Sequence, residues 1–439
     1  MPDSPQSGRI QRANIYLRSS FWFVPACLML AALAFAIGMV ELDQRIDDGL
    51  RQRWPRLSAA DAAGSRDMLS TIAASMITVA GVVFSITIVA LAQAATQYTS
   101  RVLRNFMRDR INQVVLGVFV GVFIYCMVVL RAISGTGASA SVPSLAVLTG
   151  LLLALVGIGF LIVFIHHIAT TLQSGEIARG IMLDTRHGID AMFPDEVGDE
   201  ASPTWVPGLD DMKAWQPVPA STSGYVQSVR PGALLDFAVR HDTVVRMEAA
   251  VGDFVGEGRP IAWLAGERAV GADAADQLNL LYAIGAFRTT DQDPAFGFRQ
   301  LVDVALKALS PAINDTTTAI TCLDYLSVLL EYIARRPPES PCRFHDGRLR
   351  VIARGPTFAQ LADLAFGQVL ENAEGNAVVL DRLMRMAGEV AAVTMDPQRR
   401  SVLAGWVAVV EEIALRTAKS TRARELLAAH AVRMRAACA

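Results

Sequence analysis

The sequence has little cysteine, and none of it is arranged for chemistry. Its five cysteines are scattered and form no Cys-x-x-Cys pair, so neither a disulfide framework nor a zinc site is predicted. The formal net charge of -2 leaves no basic excess, and no nucleic-acid module is recognisable, which argues against a nucleic-acid partner. The chain also lacks a glycine-rich phosphate loop and a Gly-x-Ser-x-Gly elbow. We therefore predict no metal, no cofactor and no catalytic residue.

What the sequence does have is long apolar stretches. A hydrocarbon core about 30 Å thick takes about 20 helical residues to cross, and four stretches reach that length: residues 21–40, 69–95, 111–130 and 145–168. A bilayer offers no water to backbone polar groups, so these stretches must be helices. Their interiors carry no ionisable residue, which disfavours a proton-coupled carrier. The sequence predicts an integral membrane protein with the lipid bilayer as its surroundings.

Arginines near the ends of the stretches indicate the orientation. Three arginines lie in the arm of residues 1–20, and Arg101, Arg104 and Arg108 follow the second stretch. The positive-inside rule places both segments, and with four spans both termini, in the cytoplasm. Arg101, Arg104 and Arg108 share one helical face, where they serve as interfacial anchors, bind anionic headgroups or form a cationic ring at a pore mouth. The arm and first stretch also resemble a signal peptide, although the apolar run is long for one.

The composition changes after the fourth stretch. Residues 194–219 hold five prolines and six acidic residues, which is typical of an exposed linker. Short β-type runs follow at residues 225–229, 234–239, 243–247 and 260–264. The predicted organisation is an N-terminal arm, a transmembrane domain, a linker, a small β module and a cytoplasmic helical domain, with bounds 1–20, 21–190, 191–220, 221–270 and 271–439.

The piece at residues 251–261 resembles the turn of a barrel-sandwich, or biotinyl/lipoyl-like, domain. Glycine supplies the positive φ of such a turn. The neighbouring Val245-Arg246-Met247-Glu248 lacks the lysine that holds biotin or lipoate in the carrier proteins. We therefore predict a structural or assembly module rather than a swinging-arm carrier.

A polar signature lies in the helical region. Asp293 followed by proline is typical of a helix start, and Asn314 or Asp315 is placed to cap the next helix. With Arg288, these carboxylates could instead bind a metal and phosphate in a membrane-tethered hydrolase. The default interpretation is capping and subunit contact.

The same region carries a family resemblance. Residues 287–301 (FRTTDQDPAFGFRQL) and 308–319 (ALSPAINDTTTA), with the four stretches and Gly224-Tyr225-Val226, resemble the DUF2254 family of predicted membrane proteins. The resemblance covers nearly the whole chain. It implies a membrane protein and supplies no catalytic residue.

The second apolar stretch carries small and hydroxylated side chains at a helical spacing. Thr71, Thr78 and Ser85 recur every seven residues, Gly81 runs beside them, and Gln93 follows towards the end. Such a face lines a water-filled pore or packs closely against another helix. Both interpretations stay open from the sequence.

Gly117 and Gly121 form a G-x-x-x-G pair in the third stretch. The motif mediates helix packing, either between subunits or within one bundle. The sequence does not choose between the two.

Together these features predict an α-helical membrane protein with four transmembrane helices and a cytoplasmic α+β region. The leading hypothesis is a homo-oligomeric passive channel of the bacterial inner (plasma) membrane, conducting a small ion, with the second stretch lining the conduit. The alternative is a non-conducting scaffold or sensor that recruits a partner through its soluble domain.

Overall fold

The computed structural model describes residues 22–45, 62–97, 110–133, 142–171, 174–192, 197–198, 214–266, 271–337 and 340–438. The chain divides into two compact units, an N-terminal unit (Met1–Gln173) and a C-terminal unit (Ser174–Ala439). This division differs from the predicted boundary at residue 190. Residues 174–192 form a helix that packs within the C-terminal unit, so they do not extend the membrane domain.

The N-terminal unit is built from long apolar helices. They are α1 (Phe23–Arg45), α2 (Ala62–Gln97), α3 (Arg110–Ala132) and α4 (Ser144–Thr171). Helix α3 is central because α1, α2 and α4 all pack against it. Its inward residues Val115, Phe119, Tyr125 and Val129 are almost completely buried, and the Tyr125 hydroxyl donates to the Ala146 carbonyl of α4 at 2.9 Å. The interior of this bundle is therefore filled by side chains.

The helices of the C-terminal unit are shorter. They are α5 (Ser174–Met192), α6 (Pro231–Arg240), α7 (Ala272–Asn279), α8 (Pro294–Leu309), α9 (Thr316–Ala334), α10 (Phe358–Asn372), α11 (Ala377–Val393), α12 (Pro397–Thr417) and α13 (Thr421–Cys438). Helices α5, α8 and α9 pack on one another, α11 packs on α9, and α10, α12 and α13 extend the bundle. Amphipathic faces that meet in this way bury one shared core.

Five helices in the described residues are long and apolar enough to cross a membrane: α1 to α4, and α9. The sequence predicted the first four. Helix α9 differs from them in its surroundings, because it lies in the C-terminal unit against α5, α8 and α11. It also exposes Asp324, whose carboxylate pairs with Arg382 of α11.

The strands of the C-terminal unit form two small sheets. They are β1 (Trp215–Pro219), β2 (Gly224–Val229), β3 (Val245–Met247), β4 (Phe254–Val255), β5 (Pro260–Ala265), β6 (Tyr282–Gly285), β7 (Cys342–His345) and β8 (Arg348–Ile352). One sheet has the order β1-β5-β3-β8-β7 and the other β4-β2-β6. Only β3 and β8 pair in parallel among these strands. Strands β6, β7 and β8 lie beyond the predicted β module, so that module is not contiguous in sequence.

One predicted strand is a helix. The β-type run at residues 234–239 lies inside α6, which begins at Pro231. Proline fixes φ near the helical value and suits the first helical turn. Leu234, Leu235 and Ala238 then fall on one face and are buried in the core beside the sheets. The helical period therefore matches this apolar pattern, and the strand prediction was wrong.

Candidate functional site

Three groups of predicted site residues can be placed, two in the N-terminal unit and one in the C-terminal unit. The first group lies on α2, whose buried stripe faces the bundle. That stripe consists of Ala62, Leu69, Ala73, Met76, Ala80, Val83 and Ala90. Thr71, Thr78 and Ser85 are exposed on the opposite side. The small hydroxylated face therefore does not pack inside its own bundle.

The exposed side of α2 has an open, shallow depression in its first half, which we call the groove. Ser70, Thr71, Ala74, Ser75, Thr78 and Val79 line it. Thr71 donates to the Asp67 carbonyl at 2.7 Å and Thr78 to the Ala74 carbonyl at 2.8 Å. Each hydroxyl thus satisfies its proton within the helix and leaves its oxygen facing outwards. The seven-residue repeat did not identify Ser70 and Ser75, although a full helical projection places them beside Thr71 and Thr78.

The polar character weakens along the second half of α2. An added Cβ at Gly81 would meet nothing within 4 Å, and Ser85 and Gln93 are exposed. The exposed side chains around them are large and apolar, and they include Phe84, Ile86, Ile88 and Val89. The continuous polar groove is therefore shorter than the predicted pore-lining set.

Gly117 and Gly121 lie at a contact within one bundle. A Cβ built at Gly117 would lie 2.6 Å from Leu28 Cδ1 and 3.1 Å from the Pro25 Cα, and one at Gly121 would lie 3.2 Å from the Ala32 Cβ. All three neighbours belong to α1. The small residues allow α1 and α3 to approach closely, as in other membrane helix pairs.

Gly117→Ala is expected to destabilise the N-terminal bundle by about 1 to 3 kcal/mol, the usual cost of overpacking. The new methyl group must displace Leu28 or the backbone near Pro25. The measurement is thermal unfolding of the purified protein in detergent. Gly159→Ala in α4 is the matched control, because its Cβ would meet nothing within 4 Å. Equal melting temperatures for the two variants would contradict the close α1–α3 contact.

Arg101, Arg104 and Arg108 lie outside the described residues. Their predicted roles at the membrane surface therefore stay predictions.

Arg288 and Asp293 form a partly buried ion pair in the C-terminal unit. Arg288 Nε donates to Asp293 Oδ2 at 2.8 Å and Nη2 donates to Oδ1 at 2.9 Å. Asp293 is only 2% exposed, and Oδ1 also accepts from the Phe296 backbone N–H at 3.0 Å, which caps α8. Burial raises the pKa of this carboxyl, and the hydrogen bond and charge of Arg288 oppose the rise.

A turn of the β region packs directly against the ion pair. Gly252 has φ of 94°, and a Cβ there would overlap Asp293 Oδ2 and lie 2.8 Å from Arg288 Nη2. Only glycine allows both this left-handed backbone and this approach. The pair therefore links the turn after β3 to the start of α8. Both carboxylate oxygens of Asp293 already accept hydrogen bonds.

Asn314 and Asp315 lie at the far end of α8. Asn314 has a left-handed φ of 51°, and Asp315 caps α9 by accepting from the Thr318 N–H at 3.0 Å and its hydroxyl at 2.6 Å. These hydrogen bonds from Thr318 lower the pKa of Asp315. The 16 residues of α8, at about 1.5 Å each, separate Asp293 from Asp315 by about 24 Å. The structure therefore does not bring the two carboxylates into one site.

Metal-binding residues are not clustered in the described part of the chain. Within it, no group of three His, Cys, Asp or Glu side chains is placed to hold a metal ion.

Comparison with known proteins identifies the family. The chain matches the family model described as predicted membrane protein (DUF2254) over residues 18–389, which confirms the resemblance. It is 32% identical over 415 residues to uncharacterized proteins of Mycobacterium tuberculosis and Mycobacterium bovis, covering 91% of this chain and 77% of each relative. No solved structure matches it. The chain belongs to the DUF2254 family and is a membrane protein with several apolar helices.

Proposed function

We propose that the protein is a homo-oligomeric passive pore in which the polar groove of α2 from each subunit faces a central axis. The observation that carries the proposal is the position of that groove, on the side of α2 away from its own bundle. Small polar side chains wet a lumen without closing it. A passive pore also needs no ionisable residue within the membrane.

The contrast with α4 supports this assignment. The outward face of α4 presents large aliphatic side chains, which suit contact with lipid tails; they include Leu152, Leu155, Ile158, Ile162 and Ile165. The groove of α2 presents serine and threonine oxygens instead. Water satisfies these oxygens better than lipid does, because it can donate a hydrogen bond to them.

An axis between subunits is required because the interior of one bundle is occupied. Phe119, Tyr125 and Val129 of α3 fill the space among the four helices. Residues lining a conduit must therefore lie on an outward face, as Thr71 and Thr78 do.

We also propose which helices span the membrane and on which side the termini lie. We assign α1 to α4 as the four spans of an inner-membrane protein, with both termini in the cytoplasm, from the arginines beside the apolar stretches. Helix α9 belongs to the cytoplasmic part in this arrangement, since Asp324 and Glu331 on it form ion pairs within the C-terminal unit.

Thr78→Leu is expected to reduce ion flux severalfold while leaving the oligomer intact. The leucine side chain would fill the groove between Ala74 and Val79 and replace the outward oxygen with apolar surface. The measurements are flux of small ions from liposomes containing the purified protein, and its native mass in nanodiscs.

The matched control is Thr170→Leu on α4. Thr170 also donates to carbonyls of its own helix, those of His166 and His167, so the chemical change is the same on a different helix. Equal flux through the two variants would refute the pore-lining role of α2. A native mass of one chain would remove the axis itself and favour the non-conducting scaffold or sensor.

A further inference from the structure

A carboxylate continues the groove of α2 towards the start of that helix. Asp67 lies three residues before Ser70 and four before Thr71, so it falls on the same side of the helix, one turn from the groove. Its side chain is exposed, and the Thr71 hydroxyl donates to its backbone carbonyl at 2.7 Å. Asp67 therefore lies at the end of the polar surface on which the proposed pore depends.

The charge of Asp67 is not balanced on that side of α2. Arg66 and Asp67 are the only ionisable residues in the 36 residues of this helix. The Arg66 guanidinium is directed towards the bundle, because its Nη2 donates to the Ile133 carbonyl just past the end of α3 at 3.1 Å. Among the described residues, no cation forms an ion pair with the Asp67 carboxylate. The outward face of α2 is therefore negative at this end.

The hydroxyl groups of the groove also favour cations. Thr71 and Thr78 donate their protons to carbonyls of their own helix, at 2.7 and 2.8 Å. A hydroxyl has one proton and two acceptor lone pairs, so these side chains present acceptor oxygens to a solute. Hard cations take oxygen ligands, whereas an anion needs donors. None of the residues that line the groove is basic.

We propose that the conduit selects cations over anions and that Asp67 is its specificity-determining residue. In the assigned orientation α2 begins on the extracytoplasmic side, so one Asp67 carboxylate from each subunit lies at that mouth of the pore. Rings of Asp or Glu carboxylates give channels a preference for cations. This inference rests on the proposed function, to which it adds the class of ion and the residue that selects it.

The test is the reversal potential of the full-length protein in planar bilayers of neutral phosphatidylcholine, under a potassium chloride gradient. We expect potassium to permeate better than chloride. Asp67→Asn should lower the ratio of the two permeabilities about fivefold, the effect of one unit charge about 4 Å from a passing ion in water. Asp67→Lys should reverse the preference. The preference should also weaken between about 0.01 M and about 1 M salt, because the Debye length falls from about 30 Å to about 3 Å.

Glu41→Gln on α1 is the matched control. Glu41 is also exposed, and it lies near the end of α1 (Phe23–Arg45). The change therefore removes one negative charge from a different helix at the same end of the bundle, and the permeability ratio should stay as it is. The native mass of each variant in nanodiscs shows whether it still assembles.

The outcomes separate this inference from the proposed pore. Conductance that Thr78→Leu reduces, with the same permeability ratio in Asp67→Asn and Glu41→Gln, would refute the role of Asp67 and leave the pore supported. A preference for chloride in the unmodified protein would refute cation selectivity and favour the arginines that follow α2. Conductance that is absent, or that Thr78→Leu leaves unchanged, would refute the pore itself and this inference with it.

Discussion

Asp293→Ala is expected to lower the free energy of unfolding of the C-terminal unit by about 3 kcal/mol. Removing one partner of a buried ion pair typically costs about 3 to 5 kcal/mol, and the lower figure applies because Arg288 is 29% exposed. The change also removes the cap of α8 and the contact with the Gly252 turn. Hydrogen exchange of peptides around Gly252 and α8, followed by mass spectrometry, measures the loss.

Asp315→Ala provides the matched control for this prediction. It removes the same side chain from the same kind of helix start, but Asp315 is exposed and caps α9 mainly through Thr318. Loss of an N-cap costs about 1 kcal/mol. If both variants lose the same stability, the Arg288–Asp293 pair contributes nothing beyond capping.

Gly297→Ala is expected to cost about 3 kcal/mol, at the upper end for overpacking. The new Cβ would overlap Thr185 Oγ1 and lie 2.7 Å from its Cβ and Cγ2. Thr185 cannot swing away, because it is completely buried and its hydroxyl donates to the Ile181 carbonyl at 2.6 Å. Helices α5 and α8 would therefore have to move apart. The measurement is the melting temperature of the full-length protein.

Two further variants distinguish steric overlap from the change in helix propensity between glycine and alanine. Gly405→Ala in α12 has nothing within 4 Å of its Cβ, and it should gain up to about 1 kcal/mol because alanine favours helices. Adding Thr185→Ala to Gly297→Ala removes Oγ1 and Cγ2, two of the three nearest atoms, so the double variant should lose less than the sum of the two single ones. Additive losses would show that α5 and α8 are not in close contact there.

Local features of the fold were predictable from the sequence. The caps Asp293 and Asp315, the membrane helices and the α2 face all follow from patterns within one turn or one helix. The family resemblance at residues 287–301 and 308–319 was confirmed as well.

Features that depend on distant pairing were missed. Strand β8 joins β3 across helices α7 to α9, and no local pattern records that partner. The Gly252 turn against Asp293 is also non-local, so the sequence identified Asp293 as a cap but not as the point where β region and bundle meet. The prediction of a strand at residues 234–239 was wrong because the apolar spacing fits both the helical and the strand period over so short a length. The resemblance of residues 251–261 to a barrel-sandwich turn stays a prediction.

The parallel pairing of β3 with β8 has a consequence for synthesis of the chain. Arg354, just past β8, donates to the Glu248 carbonyl beside β3, 106 residues earlier. At about 5 to 20 residues per second on the ribosome, the edge of β3 that pairs with β8 stays unpaired for roughly 5 to 20 seconds until β8 has been synthesised. An unpaired strand edge is a template for association with other chains. Yield in heterologous expression should therefore respond to the translation rate between β3 and β8, and to chaperones that cover nascent strands.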